Sequence, residues 1–354
     1  MTPAELSRTV LRAVRRAVDE DVLRAPVPTH VRVERTRPGG SGDYACAVAL
    51  QLSGPAALPA REVAALLRDR VVGVPGIGRV EITGPGFLNF TLDSSADADA
   101  RAVSLRQVRE RGLRYGWGDE YAGQPHQLHH RREVRAAVVA GAVRKLLRAQ
   151  GAPVRTTCEE APDPDWARLG VTVDAYGPPP VPLTGPRPVP AGATAAELLG
   201  RLGADATRWG LLRPAGHDRA PLGDDLLVQA EANPLFRVRY AHARARALTR
   251  GAERLGLVAA YEQDVDAPAL HTAIADHPGV LVAAARHRAP DRLARHLETV
   301  ADAFFDFHDA CPPLPAGDEK PSAAHRSRLA LAEAAGTVLA GGLSLLGISA
   351  PEHL

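Results

Sequence analysis

Apolar residues recur at three- and four-residue steps along much of this chain, a spacing that predicts helices. Near the start, Leu6, Val10, Val14 and Val18 share one face and Arg8, Arg12, Arg15 and Arg16 the others, predicting a helix over residues 3–23 with Thr2 as cap and Pro3 as opener. Residues 31–35 alternate as a strand does. Residues 38–42 read as a turn, 43–52 as a second strand and 58–72 as a helix. Two more strands, 80–82 and 87–92, flank Gly84-Pro85-Gly86. Together these form an α+β unit of roughly a hundred residues. Residues 102–111 read as a helix, and Val134, Ala137, Val138, Ala142 and Leu146 give another helical face. Residues 161–191 hold Pro178, Pro179, Pro180, Pro182, Pro186, Pro188 and Pro190, and offer little for a sheet. A short helix is expected at 194–199 and a loop at 213–225.

The second half is a series of helices joined by loops. Short helices are expected at 271–277 and 279–287, a longer one from Pro290 to about 310, and a last one over 322–343. The most informative helix starts at Asn233, a good N-cap, with Pro234 in the first helical position. Leu235, Val238, Ala241, Ala245 and Leu248 make its apolar face. Arg239, Arg246 and Arg250 fall on one stripe and Arg237 and Arg244 on another, beside Phe236, Tyr240 and His242. Guanidinium groups interleaved with aromatic rings suit a phosphate backbone with unpaired bases. The competing reading is an arginine-rich solvated face.

Composition narrows the classes. A net charge of +2 over 354 residues argues against a bulk nucleic-acid coat and leaves room for a local basic face. Cys46, Cys158 and Cys311 form no close pair, which excludes a disulfide framework and suits a reducing cytoplasm. No apolar run reads as a membrane span, and neither a phosphate-binding Gly-Lys-Ser/Thr loop nor a nucleophile elbow is present. His126 and His129 have a His-x-x-His spacing with no third ligand nearby, so no metal is expected. Asp205 with Arg208, and Glu159 with Glu160, read as caps and surface charges.

Several of these segments resemble one family. Phe236 and Tyr240-Ala241-His242-Ala243-Arg244 are similar to the opening of the anticodon-binding domain of arginyl-tRNA synthetases. Residues 328–331 and 342–352 resemble that domain's closing motifs, although the family often ends in Arg-Met and this sequence ends in His353-Leu354. Gly42-Asp43-Tyr44-Ala45 and Gly84-Pro85-Gly86-Phe87-Leu88-Asn89-Phe90 resemble the family's N-terminal domain, which contacts the outer corner and D-loop of tRNA. There Tyr44, Phe87 and Phe90 read as core and Asn89 as the polar contact. Residues 124–133 align with the family's first nucleotide-binding loop, Asn-Pro-Thr-Gly-Pro-Leu-His-Val-Gly-His. Only Pro125 and the first histidine, His130, match; Arg132 stands at the glycine and Glu133 at the second histidine. A glycine there admits the adenine ring, and paired imidazoles stabilise charge on the phosphates. The family's lysine-bearing loop falls on residues 184–188, where Arg187 is the only cation. The residues after the second signature resemble Gly203 to Trp209.

The resemblance implies an α+β protein of three parts. Residues 1–95 make a small N-terminal α/β tRNA-contact domain. Residues 96–215 make a linker and a truncated remnant of a class I synthetase nucleotide-binding fold. Residues 216–354 make an all-α anticodon-binding bundle. The expected function is tRNA binding at the anticodon arm without catalysis, with His130 a degenerate remnant and no cofactor. The residues expected to touch tRNA are Asn89, Phe236, Arg239, Tyr240, His242, Arg244, Arg246, Arg250, Arg328 and Leu354. Two alternatives stand beside it: residual ATP-dependent arginine–tRNA ligase activity, and a protein-interaction module that partners an aminoacyl-tRNA synthetase.

Overall fold

A computed structural model describes residues 3–36, 41–92, 94–179 and 185–354. The expected Thr2 cap, most of the turn at 38–42, Pro180, Pro182 and Thr184 lie outside them. The chain divides into two compact units, Met1–Ser104 and Leu105–Leu354.

In the first unit, α1 (Pro3–Asp19), α2 (Val48–Ala56) and α3 (Ala60–Val71) accompany β1 (Val33–Arg35), β2 (Tyr44–Cys46), β3 (Ile77–Thr83) and β4 (Phe87–Leu92). The sheet is antiparallel with order β1-β2-β4-β3. Leu6, Val10 and Val14 of α1 pack with Leu67 of α3 and Leu88 and Phe90 of β4. The expected strand over 43–52 is three residues long, and its remainder folds as α2. Val48, Ala49 and Leu52 bury one side of that helix, a spacing that suits a helix as well as an apolar strand. Gly42 has φ 76°, and a Cβ there would stand 2.7 Å from the Phe90 carbonyl oxygen. The same oxygen accepts from the Asp43 N–H at 2.7 Å, and the Asp43 carboxylate accepts from Leu92 N at 2.9 Å. The Gly42-Asp43 pair therefore joins β2 to β4.

The division between the units falls inside α4 (Ser94–Arg111). The second unit opens with β5 (His126–His130), α5 (Val134–Ala149), β6 (Val154–Cys158) and β7 (Ala175–Tyr176), a parallel sheet of order β5-β6-β7. β7 lies in the proline-rich stretch expected to hold no strand. It needs only two residues, because the Asp174 N–H donates to the Thr156 carbonyl and the Asp174 carboxylate accepts from Thr156 N at 2.7 Å. α6 (Ala195–Leu212) runs well past the expected short helix and kinks at Gly203, φ 73° and ψ 178°. A capping box of Thr194 and Glu197 starts it.

Four long helices follow: α7 (Pro234–Arg254), α8 (Pro268–Arg286), α9 (Pro290–Ala310) and α10 (Ala323–Leu346). α8 joins the two short helices expected around Pro278; the proline sits inside it while buried Leu281, Ala284 and Ala285 hold the second half to the core. α10 is long and apolar enough to cross a membrane by length and composition, contrary to the sequence reading, and 72% of that window is buried inside the protein. One hydrophobic core runs from Leu105 of α4 to Ile348, just past α10.

Arg135 of α5 is fully buried. Its guanidinium donates to five backbone carbonyls: Leu211 at 3.1 Å, Val189 at 3.0 Å, Asp218 at 2.6 Å, Pro214 at 3.2 Å and Ala215 at 2.9 Å. All five of its N–H groups are used. The clamp draws the segments around residues 189 and 214–218 onto α5.

Candidate functional site

Two places bear on function, and both are built from helix ends and helix faces. The first is the outer face of α7. Asn233 caps the helix, its side chain accepting from Leu235 N at 3.0 Å while its amide donates to the carbonyls of Leu226 and Val228. This fixes Phe236 and Tyr240 one turn apart. Their rings stack at 5.5 Å and 7°, and Tyr240 stacks in turn on Phe305 of α9 at 5.6 Å and 25°. Tyr240 is 42% exposed. The Arg237 guanidinium lies 5.2 Å from the Phe305 ring and pairs with Asp302. Exposed Arg244 donates to His308 Nε2 at 3.3 Å. Together they form an open aromatic ladder edged by guanidinium groups. Phe305 and Arg237 were not among the expected contacts. Phe305 comes from a distant helix, so only the fold could bring it here.

Arg239, Arg246 and Arg250 of α7 face the C-terminal segment. Arg239 donates to Ser349 Oγ at 3.3 Å and lies 3.7 Å from Asp205. Arg246 pairs with Glu352 at 3.2 Å, and Arg250 reaches the Glu352 carbonyl at 3.2 Å. These three are therefore engaged within the chain. Arg328 is half-buried and donates to the Pro312 carbonyl at 3.2 Å. Leu354 is exposed beside Phe236 and Arg239 at a shallow cavity of about 360 Å³.

Burial removes two expected contacts from the surface. His242 is 4% exposed and its Nδ1 meets the Pro351 carbonyl at 3.0 Å, so it cannot stack on a base; burial also lowers its pKa. Asn89 is 5% exposed and its amide donates to Thr83 Oγ1 at 2.6 Å, bracing β4 against β3. Conversely, Phe87, expected in the core with Tyr44 and Phe90, is 36% exposed.

The second place is the N-terminus of α5, where the aligned family places its first nucleotide-binding loop. Here residues 126–130 form β5, and only Arg131, Arg132 and Glu133 connect it to α5. His126 and His129, three apart on a strand, point to opposite faces and cannot converge on one metal. Among the described residues no group of three or more His, Cys, Asp or Glu is placed to hold one. His129 Nδ1 meets Thr157 Oγ1 at 2.9 Å, and the His126 ring meets Tyr121 edge-on at 5.4 Å. His130 is buried under Trp166, its rings 5.8 Å apart, and burial lowers its pKa.

Glu133 is the N-cap of α5. Its carboxylate accepts from Ala136 N at 2.8 Å and from Ala191 N at 2.9 Å. A helix N-terminus is where backbone N–H groups and the helix dipole favour an anion. Glu133 supplies that anion from within the chain. Gly185, at the position of the family's lysine-bearing loop, packs so closely on the His129 carbonyl that a Cβ would collide with it. Asp205 and Arg208 are also structural rather than surface groups. Arg208 is buried, donates to the carbonyls of Leu346 and Leu169, and has its pKa pushed down to about 10 by burial. Asp205 accepts from Ser349 N at 3.0 Å.

Comparison with known proteins gives two domain matches. Residues 5–92 match the arginyl tRNA synthetase N terminal domain and residues 238–354 the DALR anticodon binding domain. The arginine–tRNA ligase of Frankia alni is 28% identical in an alignment covering 100% of both chains, and that of Renibacterium salmoninarum is 26% identical over the same share. The Frankia alni alignment runs over 555 positions, 201 more than the 354 residues here. The fold is similar to the Thermus thermophilus arginyl-tRNA synthetase, with a TM-score of 0.68, 14% identity and 100% of each chain covered. With an N-terminal domain and an anticodon-binding domain in family order, and full-length alignment to its ligases, the chain belongs to the arginyl-tRNA synthetase family.

Proposed function

We propose that this protein binds tRNA at the anticodon arm and does not activate an amino acid. The observation that carries the reading is the contrast between its two sites. The α7 face offers Tyr240 and Phe236 as stacking platforms with Arg237 and Arg244 beside them. The α5 N-terminus already holds the carboxylate of Glu133. A triphosphate brought there would meet a like charge instead of free N–H groups. The 201 positions without a counterpart fall, in this reading, between the two matched domains, where a synthetase builds its active site. Exposed Phe87 on the first unit is the aromatic surface available to a second region of the same tRNA. The proposed function includes no cofactor and a cytoplasmic location, as the sequence led us to expect.

A gel shift with total tRNA across a salt series tests the reading, with sequencing of the bound species. Tyr240→Ala is expected to weaken binding about tenfold, the value of one stacked base. Arg244→Ala is expected to reduce the salt slope by about one unit if it meets a phosphate. His242→Ala and Asn89→Ala, whose side chains are buried, serve as fold controls. No shift at low salt would sink the reading and point to a protein partner such as a synthetase. The ligase activity of the relatives is the second reading. ATP–pyrophosphate exchange with arginine above a heat-killed control would establish it.

A further inference from the structure

A groove of about 860 Å³ in the second unit takes no part in the RNA reading. Its floor is one face of α10, where Glu333, Gly336, Thr337, Ala340 and Ser344 recur at helical spacing. One wall is α7 through Ala245, Arg246 and Thr249, and the other is the C-terminal segment from Gly347 to Glu352. Most polar groups of the walls are already used. Thr249 and Thr337 donate to carbonyls of their own helices, Arg246 pairs with Glu352, and Asp205 binds Ser349.

Two charges of opposite sign are not so used. The Glu333 carboxylate has no hydrogen-bond or ion-pair partner in the described structure, and burial raises its pKa against the pull of Arg109 and Arg246. Lys145, one of two lysines in the chain, is half-buried at the opposite end. Its ammonium donates to the Ser344 carbonyl at 3.2 Å, which leaves two N–H groups open. A half-buried charge without an ionic partner is costly, and in a cleft it marks a place for a ligand.

The spacing defines that ligand. Glu333 and Ser344, whose carbonyl holds the Lys145 ammonium at 3.2 Å, are eleven residues apart on α10, so the two charges stand about 16 Å apart to within the reach of a side chain. Contacts of about 3 Å at each end leave ~10 Å between the ligand's own charges. Three residues of extended peptide span that distance. Gly336 of the floor lets Ala245 of α7 approach, a Cβ there standing 2.9 Å from the Ala245 Cβ, and the unpartnered Ser344 hydroxyl can bond a peptide's amides. We propose that this groove binds a short linear zwitterion of three-residue peptide length, its ammonium on Glu333 and its carboxylate on Lys145.

The test is calorimetric titration of the full chain with tri-alanine, its N-acetyl and C-amide forms, and the two- and five-residue homologues. Tri-alanine is expected to bind saturably and each end-blocked form about tenfold more weakly, the loss of one charge-assisted hydrogen bond. Glu333→Gln should erase the difference between tri-alanine and its N-acetyl form, and Lys145→Met the difference made by the amide. The two- and five-residue peptides should both bind less well than tri-alanine. No saturable binding by about 10 mM, in the range of the weakest specific complexes, overturns the proposal. Equal binding of the end-blocked forms to the unaltered protein also overturns it, whether or not either variant folds. If N-acetylated peptides of any length bind as well as free ones, the groove captures the C-terminus of a partner chain, and the role given to Glu333 is wrong.

Discussion

Replacing Arg135 by lysine tests whether the clamp on α5 holds the second unit together. The five carbonyls that Arg135 serves come from Val189, Leu211, Pro214, Ala215 and Asp218, well separated from it in sequence. Lysine keeps the charge but has three donors and no planar fork. At least two carbonyls lose their partner, each at about 1–3 kcal/mol when buried. The expected loss is ~3 kcal/mol, a fall of roughly 6–12 °C in the unfolding midpoint for a unit of this size. Trp117, Trp166 and Trp209 all lie in the second unit, so tryptophan fluorescence in a urea titration reports that unit by itself. The first unit then serves as an internal reference in the circular dichroism signal. A fluorescence-detected loss below 1 kcal/mol would refute the reasoning, because it would mean that water or rearranged backbone replaces the fork at little cost.

Three further outcomes follow from the same geometry. Glu133→Ala removes a helix cap and the bond to Ala191, and should cost about 2 kcal/mol by urea denaturation; a neutral result would mean that water caps α5 equally well. His277 and His296 are buried with their rings 5.3 Å apart, and burial lowers the His277 pKa well below its usual value and that of His296 to about 4. The unfolded chain then binds more protons than the folded one below pH 6.5. Stability is full above that pH and falls as pH drops toward 4, by up to about 3 kcal/mol from His296 alone. Urea midpoints that stay level between pH 7 and 4.5 would contradict this. Gly42→Ala places a Cβ against the Phe90 carbonyl at a positive φ, and should destabilise the first unit by about 2 kcal/mol without moving the tryptophan-detected transition.

Much of this was legible in the sequence, for physical reasons that differ by element. The start of α7 was readable to the residue because Asn233 and Pro234 specify an opening that few other conformations accept. Its exposed ladder was only half readable. Phe236 and Tyr240 are one turn apart, whereas Phe305 joins them by tertiary packing. β5 was not readable: His126-Gln127-Leu128-His129-His130 is polar, and it becomes a strand because β6 supplies parallel partners. The fate of the arginines was hidden too. A stripe of Arg239, Arg246 and Arg250 looks equally suited to phosphate and to Ser349 and Glu352, and only the path of the C-terminal segment decides between them. His242 and Asn89 were misplaced because a polar side chain in a recognised motif reads as a contact when its partner, Pro351 or Thr83, cannot be seen.

The bonds from Arg208 to Leu346 and from Asp205 to Ser349 also order events in time. A ribosome makes Arg208 more than a hundred residues before Leu346. Until the later segment emerges, a guanidinium destined for a nearly dry site must stay in water, and α6 cannot settle into its final place. The first unit has no such debt to later sequence, since the partners in its sheet all lie within residues 33–92. Synthesis should therefore yield one folded domain early and hold the other open until residues 346–349 arrive. A ribosome stalled short of Leu346 would carry a protease-resistant first unit and a protease-sensitive second one.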